Sequence, residues 1–229
     1  MSPLLTLEDV SMLYAMRGER EGSDHVVFEN ISLELAPGER LGIIGRNGVG
    51  KSTLLRIMAK IFAPTSGVVS WATGATVSLL SLGLGFRPDL TGSENALLSC
   101  LLQGLSKADA KNSLEGIEDF AELGDFYHQP VKTYSIGMRA RLGFATALMN
   151  RSDVILIDEV LSVGDQTFRL KATAALKDQM TEDRGVVIVS HAEQQIKNLC
   201  GNAVWLDGKT VAVGAPDDVF QKYNQTQPK

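Results

Sequence analysis

The octapeptide "GRNGVGKS", Gly45, Arg46, Asn47, Gly48, Val49, Gly50, Lys51 and Ser52, constrains this chain more than any other stretch of its 229 residues. It satisfies G-x-x-x-x-G-K-[ST] at every fixed position. The apolar run "RLGIIG" before it reads as a strand, and "KSTLLRIM" after it carries apolar residues at helical spacing. Glycines there let backbone N–H groups turn inward around phosphate oxygens, where a side chain would collide. Lys51 is placed to reach β- and γ-phosphates, and Ser52 offers a hydroxyl to Mg²⁺. The helix that opens at this point adds its positive end to the same anion. These eight residues and Thr53 are therefore candidate nucleotide-binding residues.

A net charge of −5 argues against a general nucleic-acid binder, which needs clustered Lys and Arg for phosphate contacts. The start, "MSPLLTLEDVSMLY", lacks a basic stretch followed by an apolar one, and no apolar run approaches the roughly 20 residues that span a bilayer. Cys100 and Cys200 lie in helix-like stretches without metal-ligand spacing and read as buried free thiols of a reducing cytoplasm. The expectation is a soluble chain with access to a membrane only through a partner.

"PLLTLEDVSMLY" and "ISLELAPGERLGIIG" alternate as half-buried strands do, around a polar loop, "AMRGEREGSDH". "KSTLLRIMAKIF" is a helix stopped by Pro64, and "GVVSWATGATVSLLSL" is two strands about a turn at Thr73 and Gly74. From about 90 to 150 the chain is mostly helical, with a capping box of Thr91 and Glu94 at the first helix. "VILIDE" and "GVVIVS" are apolar throughout, as strands buried on both faces are. Ser190 with Glu193 predicts a second capping box, Gly201 a helix stop, and Asp207-Gly208 a hairpin followed by a short helix. The pattern predicts an α/β core carrying a helical insert.

"VILIDE" ends in Asp158 and Glu159. Asp158 is the candidate to hold Mg²⁺ together with Ser52. Glu159 is the candidate general base for a water attacking the γ-phosphate. His191 follows "VVIVS", again where a parallel strand hands over to a helix, and is a candidate contact to that phosphate.

"GRNGVGKST", "YSIGMRARLGFATAL", "VILIDEV" and "VSH", in that order, resemble the nucleotide-binding subunits of ATP-binding-cassette (ABC) transporters over nearly the whole chain. The resemblance implies an α/β P-loop NTPase core of ABC type with an amino-terminal antiparallel β portion and an inserted helical subdomain. Residues 1–84 and 152–229 would form the core and about 85–151 the helical part, in a single domain. The family's Leu-Ser-Gly-Gly-Gln signature falls on Tyr134, Ser135, Ile136, Gly137 and Met138, of which the Ser and second Gly match. By resemblance Ser135 and Gly137 contact the γ-phosphate held by the opposite subunit of a homodimer. Residues 162–165 fall on a loop that crosses that interface. Tyr14 falls near the aromatic that stacks on adenine.

"LGLGFRPDLTGSEN", "YSIGM" and "DEVLSVGDQTF" together look like the ATPases of bacterial surface-polysaccharide exporters, for O-antigen, capsule and teichoic acid. That implies ATP and Mg²⁺ as ligands and a polytopic permease as partner. It also implies a peripheral place on the cytoplasmic face of the inner membrane. With the sequence ending at Lys229, no carboxyl-terminal carbohydrate-binding domain is expected. An ABC exporter of lipid, peptide or drug, a soluble ABC ATPase of translation or DNA repair, and a regulatory module without catalysis are the alternatives.

"SLGLGFRPDLTGSEN" lacks the third glycine of a dinucleotide turn. By resemblance the stretch between Leu82 and Thr91 receives the permease's coupling helix. The family's glutamine there is replaced at Ser81 or Leu82. Gly83, Gly85 and Gly92 are expected to let this joint bend, and Phe86 and Leu90 are either a contact surface or local core.

Overall fold

The computed structural model describes residues 2–14, 25–80, 85–149, 152–159, 165–180 and 183–226. They fall into two compact units. The first comprises Met1–Val77, Asp153–Asp158 and Thr181–Lys229, and the second Ser78–Ser152 and Glu159–Met180.

In the first unit, β1 (Leu5–Tyr14) is flanked by β2 (His25–Leu35) and β4 (Ser66–Trp71) in an antiparallel sheet. The alternation expected of β1 breaks at its middle, where the register with β2 shifts between Leu7 and Val10. Asp9 and Asn30 take left-handed backbone there, φ 48° and 52°. Ser32 Oγ accepts from the Asp9 N–H at 2.9 Å, and Ser11 Oγ from the Asn30 N–H at 3.0 Å, so hydroxyls replace the lost ladder bonds.

The second sheet of this unit runs β6 (Val154–Asp158), β7 (Gly185–Val189), β3 (Arg40–Ile44), β8 (Asn202–Leu206), β9 (Thr210–Gly214). The first four are parallel, and β9 returns antiparallel through the Asp207-Gly208 hairpin. Val154, Ile155, Leu156 and Ile157 are all buried, as are all five residues of β7, which is why both read as unbroken apolar runs. α1 (Lys51–Met58), α6 (Glu193–Leu199) and α7 (Pro216–Thr226) belong to this unit.

Two helix boundaries differ from the sequence reading. α1 ends at Met58 rather than at Pro64, because Lys60 turns left-handed at φ 61° and breaks the ladder first. α6 begins at Glu193 without a side-chain cap. Ser190 lies too far ahead of it, accepting from the Ala192 N–H at 3.1 Å and donating to Gln195 Oε1 at 2.6 Å. Glu193 pairs instead with Lys197 at 2.8 Å. The helix stops at Leu199, before Gly201, whose N–H donates to the Arg40 carbonyl at 3.0 Å.

β5 (Val77–Leu80) leads into the second unit, made of α2 (Gly92–Leu102), α3 (Lys107–Ala121), α4 (Ile136–Leu148) and α5 (Gln166–Gln179). Its core gathers Ala96, Cys100, Ile117, Tyr127, Leu142 and Ala145. Phe144 and Phe168 meet edge to face at 6.0 Å, with Phe120 stacked on Phe144. The expected capping box opens α2: the Glu94 N–H donates to Thr91 Oγ1 at 3.1 Å and the Thr91 N–H to Glu94 Oε2 at 2.8 Å.

Candidate nucleotide site

β3, β6 and β7 are parallel and in step, with Asp158 opposite Val189 and Val189 opposite Ile43. Three chain segments therefore leave the sheet at one edge: the glycine loop after Ile44, Glu159 after Asp158, and Ser190-His191 after Val189. Ligands collect at such carboxyl ends because the strands splay there and helix N-termini point in.

In the loop, Gly48 and Gly50 are left-handed at φ 83° and 95°. A Cβ on Gly50 would come within 2.5 Å of Val27 Cγ1 and 2.8 Å of Phe28 Cδ1, so this position tolerates only glycine on both counts. α1 starts at Gly50 with no side chain capping its first turn. The glycine at the cap leaves the approach to that turn unobstructed by a side chain, as an anion site at a helix start requires. Lys51 is buried, and its Nζ donates to the carbonyls of Gly45 and Arg46 at 2.8 Å each. The ammonium is thus folded over the loop that its own backbone forms. Ser52 Oγ donates to Asp158 Oδ1 at 3.1 Å, across 106 residues of sequence. A hydroxyl and a carboxylate at that separation are hard oxygen donors of the kind Mg²⁺ takes. The donors fit that ion.

Glu159 is exposed and left-handed, φ 55°, immediately past the strand end. Left-handed backbone costs a non-glycine residue about 1–2 kcal/mol, and such strain clusters at functional positions. His191 is exposed at the head of the β7–α6 connection. Tyr14 is 41% exposed and pairs across the sheet with His25. The same two strands bring Met12 opposite Phe28, the ring that packs on Gly50, so Tyr14 lies two residues along β1 from the loop's own support.

The second unit builds the other candidates. Ser135 caps α4, accepting from the Met138 N–H at 3.2 Å, and is exposed. A Cβ on Gly137 would meet nothing nearer than Ser135 Oγ at 3.8 Å, so its backbone is open to approach. Ile136 between them is 72% exposed, an apolar side chain at the tip of a polar turn. Residues 81–84, with the substituted glutamine position and Gly83, and residues 162–164 of the interface loop lie outside the described residues.

The family model described as ABC transporter matches residues 28–162, more than half of the chain. The chain belongs to the ABC transporter family. Over 218 residues it is 39% identical to the O-antigen export system ATP-binding protein RfbB of Myxococcus xanthus, covering 93% of this chain and 50% of that protein. It is 36% identical to the teichoic acids export ATP-binding protein TagH of Shouchella clausii, covering 94% of this chain and 60% of that one. The chain thus spans about half the length of the curated relatives it matches. Among solved structures, the dimeric MJ0796, a bacterial ABC transporter cassette, superposes with TM-score 0.78 at 25% identity, over 93% of this chain and 98% of that one. The cassette fold and its amino-terminal antiparallel sheet with a helical insert are those expected from the sequence. No helix of the described residues is long and apolar enough to cross a membrane.

Several residues that shape this cassette escaped the motif reading. Asn95, 1% exposed, accepts from the Arg87 N–H at 2.7 Å and donates to the carbonyls of Arg87, Leu90 and Thr91 at 2.9–3.1 Å. Arg141, about a turn and a half into α4, donates to Asp165, the N-cap of α5, and lies 5.0 Å over the Phe168 ring. Gly92 is not a hinge: a Cβ there would clash with the Tyr134 hydroxyl and approach the Tyr127 carbonyl at 2.8 Å. Phe86 packs against the helical core. The Asn in "GSEN" is a buried polar residue on the inward side of α2.

Proposed function

We propose that this chain is the ATP-hydrolysing subunit of an ABC transporter that exports a surface polysaccharide across the bacterial inner membrane. The Ser52–Asp158 contact of 3.1 Å beside the uncapped start of α1 supports this most directly, because it assembles a metal-phosphate seat from two distant segments. The names of the relatives at 39% and 36% identity support the cargo class.

The loop N–H groups of residues 45–53 and the Lys51 ammonium hold the β- and γ-phosphates of ATP, and Tyr14 stacks on adenine. Ser52 and Asp158 would hold Mg²⁺, which would supply neutralising charge to the transferring phosphoryl group. Glu159 accepts a proton from the attacking water while His191 contacts the γ-phosphate. The γ-phosphorus gains the water oxygen and loses the bridging oxygen to ADP, so ATP and water become ADP and phosphate. Ser135 and Gly137 of a second copy close over the γ-phosphate, so turnover needs a homodimer. A polytopic permease docks near residues 82–91 and holds the chain at the cytoplasmic face; residues 1–229 act as one cassette.

The test is phosphate release by the purified chain and by Glu159→Gln. The variant is expected to bind ATP, lose about 10²–10³-fold in turnover, and accumulate as an ATP-bound dimer on size-exclusion chromatography. Wild-type turnover in the variant refutes the base. For the cargo, a strain lacking this gene should lose surface polysaccharide and regain it with the wild-type gene but not with Glu159→Gln. Unchanged surface polysaccharide in that strain refutes the cargo.

A further inference from the structure

The segment 87–92 and the segment 129–134 are laced together within the second unit. The Val131 N–H donates to the Leu90 carbonyl and the Lys132 N–H to the Pro88 carbonyl, each at 2.9 Å, and the Gly92 N–H donates to the Gln129 carbonyl at 3.2 Å. Thr91 and Pro130 form an antiparallel bridge, and Lys132 pairs with Asp89 at 3.2 Å. Asn95 fixes the first segment from beneath through its four bonds to Arg87, Leu90 and Thr91. The second segment turns through a single 3-10 turn, Val131–Thr133, and delivers Tyr134 directly ahead of Ser135.

Tyr134 is 4% exposed, and its hydroxyl donates to the Phe126 carbonyl at 2.6 Å. Its oxygen occupies the space a side chain at Gly92 would need. A leucine, the residue usual at the first signature position, could neither reach that carbonyl nor fill the notch with a polar atom. Tyrosine at 134 and glycine at 92 are matched parts.

We infer that Tyr134 is a positioning residue for the signature turn. Its ring, lodged at Gly92 and tied to the Phe126 carbonyl, makes the placement of Ser135 and Gly137 follow the start of α2 and the segment 87–91 bonded to it. A displacement of 87–91 cannot be absorbed by a soft joint. Three backbone bonds, one ion pair and the Tyr134 ring carry it to Ser135 within a few residues. This rests on the proposed function, since it is the phosphate of a partner copy that Ser135 is placed to meet.

The test uses the full chain and three variants, reading kcat for phosphate release, the Kd for a fluorescent ATP analogue, and the thermal midpoint. Tyr134→Phe keeps the ring and removes one buried hydrogen bond, and its kcat is expected to fall about 3- to 10-fold. Its nucleotide Kd should stay within about twofold, because the phosphate loop belongs to the other unit. Gly92→Ala forces the hydroxyl out and should lower kcat further. The double variant Gly92→Ala, Tyr134→Phe should turn over faster than Gly92→Ala alone, because the added methyl no longer meets the Tyr134 hydroxyl, the nearest of its obstacles. Recovery stays partial, as the Tyr127 carbonyl still crowds that methyl at 2.8 Å. Wild-type kcat in Tyr134→Phe, or no recovery in a folded double variant, overturns the inference and leaves the ATPase standing. If Gly92→Ala does not fold, Tyr134→Phe decides. Absence of phosphate release from the wild-type chain overturns the inference together with the function on which it rests.

Discussion

The phosphate loop and the signature turn each build the start of a helix, α1 and α4, by opposite means. The loop is self-supporting. Its glycines, its lysine and two carbonyls that lysine binds lie within seven consecutive residues, with Val27, Phe28, Asp158 and the Leu206 carbonyl behind Gly45 brought in from elsewhere. The signature turn has local bonds as well, from the Met138 N–H to Ser135 Oγ and from the Arg139 N–H to the Ser135 carbonyl, but it draws more of its position from Gly92, Phe126 and the strap at 129–132. Substitution in the first should damage chemistry and spare the fold. In the second it should damage the fold or the geometry first and the chemistry through them.

Lys51→Ala is the sharpest probe of the first half. Charge-assisted hydrogen bonds are worth about 1.5–3 kcal/mol each, so losing those to two phosphates should weaken ATP binding on the order of 10²-fold or more. The thermal midpoint of the nucleotide-free chain should move little, because the Gly45 and Arg46 carbonyls that the ammonium binds belong to its own loop. Unaltered affinity in a titration would remove the loop from the site.

Asn95→Asp probes the other half. It puts a carboxylate against the three carbonyls that the amide now serves, in a place 1% exposed. Leaving a charge buried without a partner costs about 3–5 kcal/mol. Denaturant unfolding should report that loss, while whatever fraction stays folded should bind nucleotide normally. A stable Asn95→Asp protein would mean that the strap is not held from α2. Arg141→Ala is the milder version. The guanidinium is mostly buried, pairs with Asp165 and Glu122, and covers Phe168, so about 1 kcal/mol of stability should go. A midpoint within error of wild type would show that the α4–α5 contact stands on its aromatic rings alone.

This contrast also explains what the sequence made legible. The loop, the strand ending in Asp158 and the cap at Thr91 declare themselves because each is a short run whose residue types meet a local geometric demand. Bulges at Asp9 and Asn30 hid inside an apparently regular alternation, since serines 11 and 32, far apart in sequence, make them possible. Ser190 with Glu193 has the spacing of a capping box, yet the helix starts two residues too late to use it. Gly92 misled for a related reason. Glycine serves both bending and close approach, and only the position of Tyr134, 42 residues on, distinguishes the two.

Alkaline unfolding gives the smallest effect and separates the two units in one measurement. Burial pushes the Cys200 thiol of the first unit from 9.0 up to about 12, partly offset by the Arg40 cation beside it. Burial likewise pushes the Tyr127 hydroxyl of the second unit from 10.0 up to about 12. Both groups hold their protons longer folded than unfolded. Between the unfolded and folded values the native state binds more protons, so stability is intact below the unfolded pKa and falls as pH rises toward the folded one. The decline should begin near pH 9 for the thiol and near pH 10 for the phenol. Cys200→Ala should flatten the earlier part of the curve and Tyr127→Phe the later part, after allowance for the pH-independent cost of each change. A Cys200→Ala curve with the wild-type slope from pH 9 to 10 would mean that the thiol reaches solvent. If the two units unfold in separate steps, each substitution should alter only its own, and a change shared equally by both steps would show that the loop and the signature turn, built so differently, nevertheless stand or fall together.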